Sequence, residues 1–249
     1  MMRGITGAAL IRAALAIAVP CGTAGTACAA QLRVEPVLLE LNAPAAAGSL
    51  TLRNDEDAEV VVQTRVMRWS QADGKETLEP TADVVASPPS VKLSPGADYV
   101  VRVVRVSKRP VRGEESYRVI VDQLPNVRRQ QARAVNLLIR HSIPVFFRNP
   151  QLSAPNVAWS IGYEGDRLVV VAANSGDERL RIAALRLRDG AGATISFGNG
   201  LVGYALGRSS MSWIAPNHPR GFGTGGSVSI TAETDKGPIN AMAQLVGRR

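Results

Sequence analysis

Side chains able to do acid–base, nucleophilic or metal chemistry are few in this chain, and they do not converge. His141 and His218 are its only imidazoles, and its two cysteines, Cys21 and Cys28, both fall in the first thirty residues. A histidine metal centre needs several ligands gathered at one point, which two distant histidines without a later thiolate do not provide. Gly221-Phe222-Gly223-Thr224-Gly225-Gly226 has the glycine density of a phosphate cradle. No Lys-Ser or Lys-Thr pair follows it, and no helix offers an N-terminus there. A flexible hairpin loop fits it better. Asp55, Glu56 and Asp57 are paired acids of a solvated turn, and no nucleophile–base set for a hydrolase is recognisable. The sequence therefore predicts neither an enzyme nor a cofactor.

The residues that do form a pattern are apolar, and the chemistry they offer is non-covalent. From Ala134 to Arg148 the odd positions are Val135, Leu137, Ile139, His141, Ile143, Val145 and Phe147. The even positions are mixed: Asn136, Leu138, Arg140, Ser142, Pro144, Phe146 and Arg148. Alternate strand residues face opposite ways, so the odd set draws one greasy stripe broken only by His141. His141 reads as a tolerated or partner-facing polar residue. Pro144 cannot donate a ladder hydrogen bond, which points to a sheet edge or a bulge. A long apolar edge strand invites aggregation unless it is covered. The stripe either fills the protein's own core or is lent to another chain.

The elements that would carry this strand are nearly all β. Leu32–Glu35, Val37–Leu41, Ser49–Arg53, Glu59–Trp69, Tyr99–Val106 and Tyr117–Leu124 read as strands, punctuated by Asn54–Asp57, Asp73-Gly74, Pro88-Pro89 and Ser94-Pro95-Gly96. Asn149-Pro150 interrupts the pattern. Beyond it come shorter strands at 157–163, 167–173, 180–188, 193–197, 228–232 and 240–246, with a longer segment at 200–213. Short strands without an amphipathic helix predict an all-β chain of two antiparallel, immunoglobulin-like sandwiches. The division expected is residues 1–30, 31–149 and 150–249. The first segment has a basic start at Arg3 and Arg12, an apolar run Ala13–Val19, and small residues up to Ala30, the marks of a cleaved export signal. Nothing later approaches the roughly twenty apolar residues of a spanning helix. Without that signal the chain carries 27 basic and 21 acidic residues, and no aromatic-interleaved patch suggests nucleic acid.

Several short motifs in fixed order resemble the periplasmic chaperones of the chaperone–usher pathway, which assemble pili. They are Leu93-Ser94-Pro95-Gly96 with Val101-Arg102-Val103, Tyr117-Arg118-Val119 with Leu124-Pro125, and Ile143-Pro144-Val145-Phe146-Phe147-Arg148. In the second half Ala173-Asn174-Ser175-Gly176, Gly200-Leu201-Val202-Gly203-Tyr204 and Trp213 continue the series. The Ile-Pro-Val-Phe and Gly-Leu-Val-Gly-Tyr pieces are most similar to the archaic branch, which serves spore-coat-U-type pili. The resemblance implies partners: a pilus subunit missing a strand, and an outer-membrane usher. It also implies donor-strand complementation, a form of strand addition, with Val135, Leu137 and Ile139 at donor positions and His141 as a weaker fourth. A free chaperone would hide the same stripe in a self-capping dimer. The alternative is an exported β-sandwich subunit or adhesin of a surface fibre.

The resemblance implies two more sites. Relatives anchor the subunit's terminal carboxylate with an arginine and a lysine, where this chain has Leu38 and Pro144, so Arg102 and Arg140 are the expected replacements. An arginine after the donor strand sets the angle between domains, a role that falls to Arg148, with Asp235 as its expected acid.

Overall fold

The computed structural model describes residues 32–125, 138–216, 222–223 and 225–246, and the regular elements among them are all β-strands. No helix among the described residues is long and apolar enough to cross a membrane. The first half contains β1 (Leu32–Glu35), β2 (Leu39–Asn42), β3 (Ala47–Asn54), β4 (Val60–Ala72), β5 (Lys75–Pro80), β6 (Val84–Ser87), β7 (Ser90–Leu93), β8 (Asp98–Arg105), β9 (Glu114–Leu124) and β10 (Arg140–Arg148). One sheet runs β1-β3-β8-β6; a second runs β2-β10-β9-β4-β5, with β7 also pairing β4. Alternation decides what lies between them. Val101 and Val103 of β8, Tyr117, Val119 and Val121 of β9, and Val145 and Phe147 of β10 are buried in one core with Leu50 and Leu52 of β3. Each large aliphatic so buried contributes about 1.5–3 kcal/mol.

One turn moves the chain between the two sheets of this sandwich, and another ties the sandwich to the rest. Pro88-Pro89 marks a change of sheet, since β6 pairs β8 whereas β7 pairs β4. Thr64 closes that gap, its N–H donating to Pro89 O and its hydroxyl to Pro88 O, each at 2.8 Å. Between β4 and β5, Asp73 and Gly74 take φ of 52° and 74°, the signature of a type I′ hairpin turn. The tip reaches the second half of the chain, where Ser212 donates to Gly74 O from its N–H (3.0 Å) and its hydroxyl (2.8 Å).

The second half contains β11 (Val157–Glu164), β12 (Arg167–Asn174), β13 (Leu180–Arg188), β14 (Thr194–Ser196), β15 (Leu201–Ala205), β16 (Ser209–Ile214), β17 (Gly226–Thr234) and β18 (Ile239–Val246). They pair as β14-β13-β17-β18-β11-β12-β16, with β15 on β13, around a separate core of Ile161, Val170, Ile182, Leu185, Leu187 and Ile230. The expected 200–213 segment is two strands joined by a turn at Leu206–Arg208. Gly203 is required there because a Cβ would lie 2.9 Å from the Trp213 indole nitrogen. Each half also uses a buried asparagine to hold a loop. Asn54 donates to Ala58 O (2.7 Å) and Leu93 O (3.0 Å), and Asn174 to Glu178 O (2.8 Å). The all-β, two-sandwich expectation holds.

Candidate functional site

The apolar strand is β10, which is antiparallel to β9 along its whole length, from Arg140 opposite Asp122 to Arg148 opposite Glu114. Gln123 N–H donates to Ile139 O at 3.0 Å, which sets the phase of the ladder. Odd residues of β10 exchange hydrogen bonds with β9, and even residues turn their N–H and C=O the other way. On that outer side β2 runs parallel to β10, but only from Val145, which stands opposite Leu39. Arg140, Ser142 and Pro144 therefore present a sheet edge with no strand beside it among the described residues, and Pro144 is where it stops.

The odd side chains divide at His141. Ile143, Val145 and Phe147 are buried in the protein's own core, so for them the self-filling reading holds. His141 is half-buried and its Nε2 lies 2.9 Å from Leu32 O of the opposite sheet, a structural tie rather than a free plug. Ile139 is half-buried just beyond the sandwich. Val135 and Leu137 lie outside the described residues, as does His218.

Neither expected anchor cation stands at the joint between the halves. Arg102 alternates with buried Val101 and Val103, so it projects from the outer face of the sheet that lacks β10. Arg140 sits at the far end of β10, four residues or about 13 Å before Pro144. It pairs with Asp122, which Arg65 also holds at 2.5 Å. Burial favours the neutral Asp122 carboxyl, but the hydrogen bonds from Arg140 and Arg65 outweigh it and hold its pKa below the usual value. A lowered pKa stabilises the fold above the ordinary carboxylate range, and that stability is lost as pH falls through the folded value. Asp122→Asn should cost about 1 kcal/mol near neutral pH, and its melting temperature should converge with wild type on acidification below pH 4.

The positions where relatives carry cations instead meet an apolar joint. Trp69, Phe146, Tyr204 and Leu206 are buried together with Leu38 packed on them, and Pro144 is buried beside them. Trp69 meets Tyr204 edge-on at 5.4 Å and Phe146 at 5.9 Å. Gln71 completes the joint by donating to Tyr204 O (2.8 Å) and accepting from Leu206 N–H (2.9 Å). Opposite Pro144 in the β9 register is Arg118. Its guanidinium lies over the Trp69 ring, 3.7 Å from the centroid, and reaches across β10 to Ser142 O at 3.4 Å. Its nearest acid, Glu76, is 3.9 Å away, and burial pushes its pKa down. The Trp69 indole N–H is buried without a partner among the described residues.

Behind this joint lies the elbow. Arg148 contacts Glu178 and, at 3.5 Å, Glu114. Its acid is thus Glu178 and not Asp235, which accepts the Arg181 N–H at 3.2 Å and faces the network only through space. The centre is Arg179, 2 % exposed, which pairs with Glu114 and Glu40 of the first half and stacks 3.6 Å over Phe146. Burial pushes the Glu114 carboxyl up to about 7 and the Arg179 guanidinium down to about 10. Sequence reading missed Arg118 and Arg179. The alternation of β9 held the signal for Arg118, whereas nothing local marked Arg179. In the glycine-rich loop, the Gly223 N–H already donates to the Asp189 carboxylate (2.8 Å), which leaves it unavailable to a phosphate.

A family model described as pili and flagellar-assembly chaperone, PapD N-terminal domain, matches residues 31–153. No curated protein matches the chain. Its fold is similar to a chain in the CsuC-CsuE chaperone–tip adhesion subunit pre-assembly complex from the archaic Csu pili of Acinetobacter baumannii. That match has a TM-score of 0.64 and 21 % identity, covering 88 % of this chain and 100 % of the other. The YadV chaperone follows at TM-score 0.59 and 16 % identity, covering 86 % and 99 %. The Salmonella enterica SafA pilin–SafB chaperone complex gives 0.57 and 19 %, covering 85 % and 95 %. With the family match across the half that carries β10, and this two-sandwich fold throughout, the chain belongs to the pilus-assembly chaperones, a non-enzymatic, periplasmic family.

Proposed function

We propose that this chaperone captures a pilus subunit by offering the open edge of β10, completes the subunit's sandwich, and delivers it to an outer-membrane usher. The observation that carries this reading is the stretch from Arg140 to Pro144, which no described strand covers, on a strand whose partner β2 begins only at Val145. A strand added there would satisfy the backbone groups of Arg140 and Ser142. Val135, Leu137 and Ile139, which continue the odd stripe outward from the core, would then enter the subunit's groove. His141 stays with its own sandwich. Without a subunit, the same edge is the place for a second copy to dock.

The similarity to the Csu chaperone complex, together with the Ile-Pro-Val-Phe and Gly-Leu-Val-Gly-Tyr motifs, supports assignment to the archaic branch. Residues 1–30 act as the cleaved export signal, and Asn149-Pro150 is the joint between residues 31–149 and 150–249.

Co-expression with candidate pilus subunits from the same source tests the proposal. A one-to-one complex is expected, with slowed amide exchange at Arg140 and Ser142. No complex, or a complex without protection at those two amides, would refute it.

A further inference from the structure

We propose that the second sandwich holds a binding site for a single-chain carboxylate of the fatty-acid class, in the wedge where β11 and β18 part. The two strands pair in parallel only at Ile161–Leu245 and Gly162–Val246. Were that ladder continued, Val157 would stand opposite Ala241, but no pairing joins them. What separates the strands is the segment leading into β11. Ser153 Oγ donates to Asp177 (2.6 Å), Ser153 O accepts from the Glu178 N–H (3.2 Å), and the Asn156 N–H donates to the Asn174 side chain (3.1 Å). Gly176 lets this segment lie close, since a Cβ there would fall 2.1 Å from Ala154 O. The start of β11 is thereby drawn to the loop between β12 and β13 and away from β18.

The opening so formed has a volume of about 400 Å³, within the range of small-molecule sites. Val157 and Trp159 form one wall, Ile239 and Ala241 the other, and buried Leu180 lies between them. The pairing at Ile161 closes the inner end, four residues or about 13 Å from Val157. Pro155, Lys236 and Pro238 stand at the open end.

Lys236 is the only charged residue lining the wedge among the described residues. Its side chain is 44 % exposed, and Nζ donates to Glu178 at 2.8 Å. An ammonium has further hydrogens to give. Glu178 is also held by Arg148, so it is not stranded when a second anion draws on Lys236. Asp235, the other acid of this turn, does not line the wedge and accepts the Arg181 N–H.

This polarity selects the ligand. It must be apolar at the end that leads and anionic at the end that stays at the mouth, and an unbranched carboxylate is both. A polypeptide entering by a terminus would carry a charge to the apolar end, where burial without a partner is costly. Entering as a loop, it would need the width of two strands where β11 and β18 close to the spacing of neighbours.

Titration of the purified chaperone with decanoate, followed by amide chemical shifts, tests the site. Saturable one-to-one binding is expected, with the amides of Val157, Trp159 and Ala241 moving. Those of Arg140 and Ser142 should stay unmoved, which separates the wedge from the strand-donating edge. Octanoate, two methylenes shorter, should bind about tenfold more weakly. Lys236→Gln should weaken decanoate about fivefold and leave decanol, the same tail without the charge, within twofold of wild type. Ala241→Phe fills the wedge from one wall and should abolish binding of both; Val157→Phe does so from the other wall if Ala241→Phe folds poorly. Decanoate that fails to saturate, that moves Arg140 and Ser142 instead, or that binds the folded phenylalanine variants as tightly as wild type would overturn the assignment. So would an equal loss of decanoate and decanol in Lys236→Gln, since the ammonium would then not be reading the carboxylate. A chaperone that captures its subunit but binds no decanoate would refute this site and leave strand donation standing.

Discussion

Replacing Leu137 and Ile139 together by aspartate is expected to abolish subunit capture while the chaperone itself remains folded. Each aliphatic side chain delivered into an apolar groove contributes about 1.5–3 kcal/mol, so losing two removes at least a hundredfold in affinity. Two carboxylates forced into the groove without partners add a larger penalty. The fold is spared because the chaperone's own core takes its odd side chains from Ile143 onward, with Val145 and Phe147 behind it. Ile139 lies beyond His141, whose tie to Leu32 O closes that end of the sandwich. Circular dichroism and the melting temperature should match wild type, and co-purified subunit should vanish. Leu138→Asp is the control, since Leu138 is 50 % exposed on the other face and should leave most of the complex intact. A folded double variant that still holds its subunit would end the strand-donation reading.

Much of this molecule could be read from period-two alternation. Val101-Arg102-Val103 and Tyr117-Arg118-Val119 state on their own which side chains go inward, and Pro88-Pro89 states where a strand breaks. Alternation, however, assigns a face and not a neighbour. It puts Arg102 on the face opposite Val101 and Val103 but cannot say that β8 belongs to the sheet without β10, which is why Arg102 does not reach the joint where an anchor cation was expected. The same limit hid Arg118. It is the outward residue between two core positions, and only the β9–β10 register brings it opposite Pro144. For Arg148, the resemblance points to Asp235, an acid beside Lys236-Gly237. The fold instead presents Glu178, directly beside Arg179 on the loop entering β13. Contacts between halves depend on how two finished sandwiches meet, which no local periodicity encodes.

That meeting depends most on Arg179, and Arg179→Met is expected to cost about 3–5 kcal/mol, the range for breaking a buried ion pair from one side. The Glu114 side chain would then be left 1 % exposed, with Arg148, at 3.5 Å, as its only nearby cation among the described residues. A chain of this size loses about 2–4 °C per kcal/mol, so thermal melting should fall on the order of 10 °C. The effect should depend on pH. Glu114 already has a folded pKa near 7 against an ordinary 4.5, with burial as the main cause. A carboxyl raised in this way favours the fold when protonated, and the advantage disappears as pH rises through the folded value. The gap between variant and wild type should therefore be small at pH 5 and widest at pH 8. Adding Glu114→Gln to Arg179→Met removes the stranded charge and should recover most of the loss at pH 8, since a neutral pair of similar volume carries no desolvation penalty for ions. If Arg179→Met melts within 2 °C of wild type at pH 8, the elbow is held by the Trp69–Phe146–Tyr204 contact alone. If the loss is large but Glu114→Gln restores nothing, the stacking of Arg179 on Phe146 is what holds it, and the ion pairs only follow.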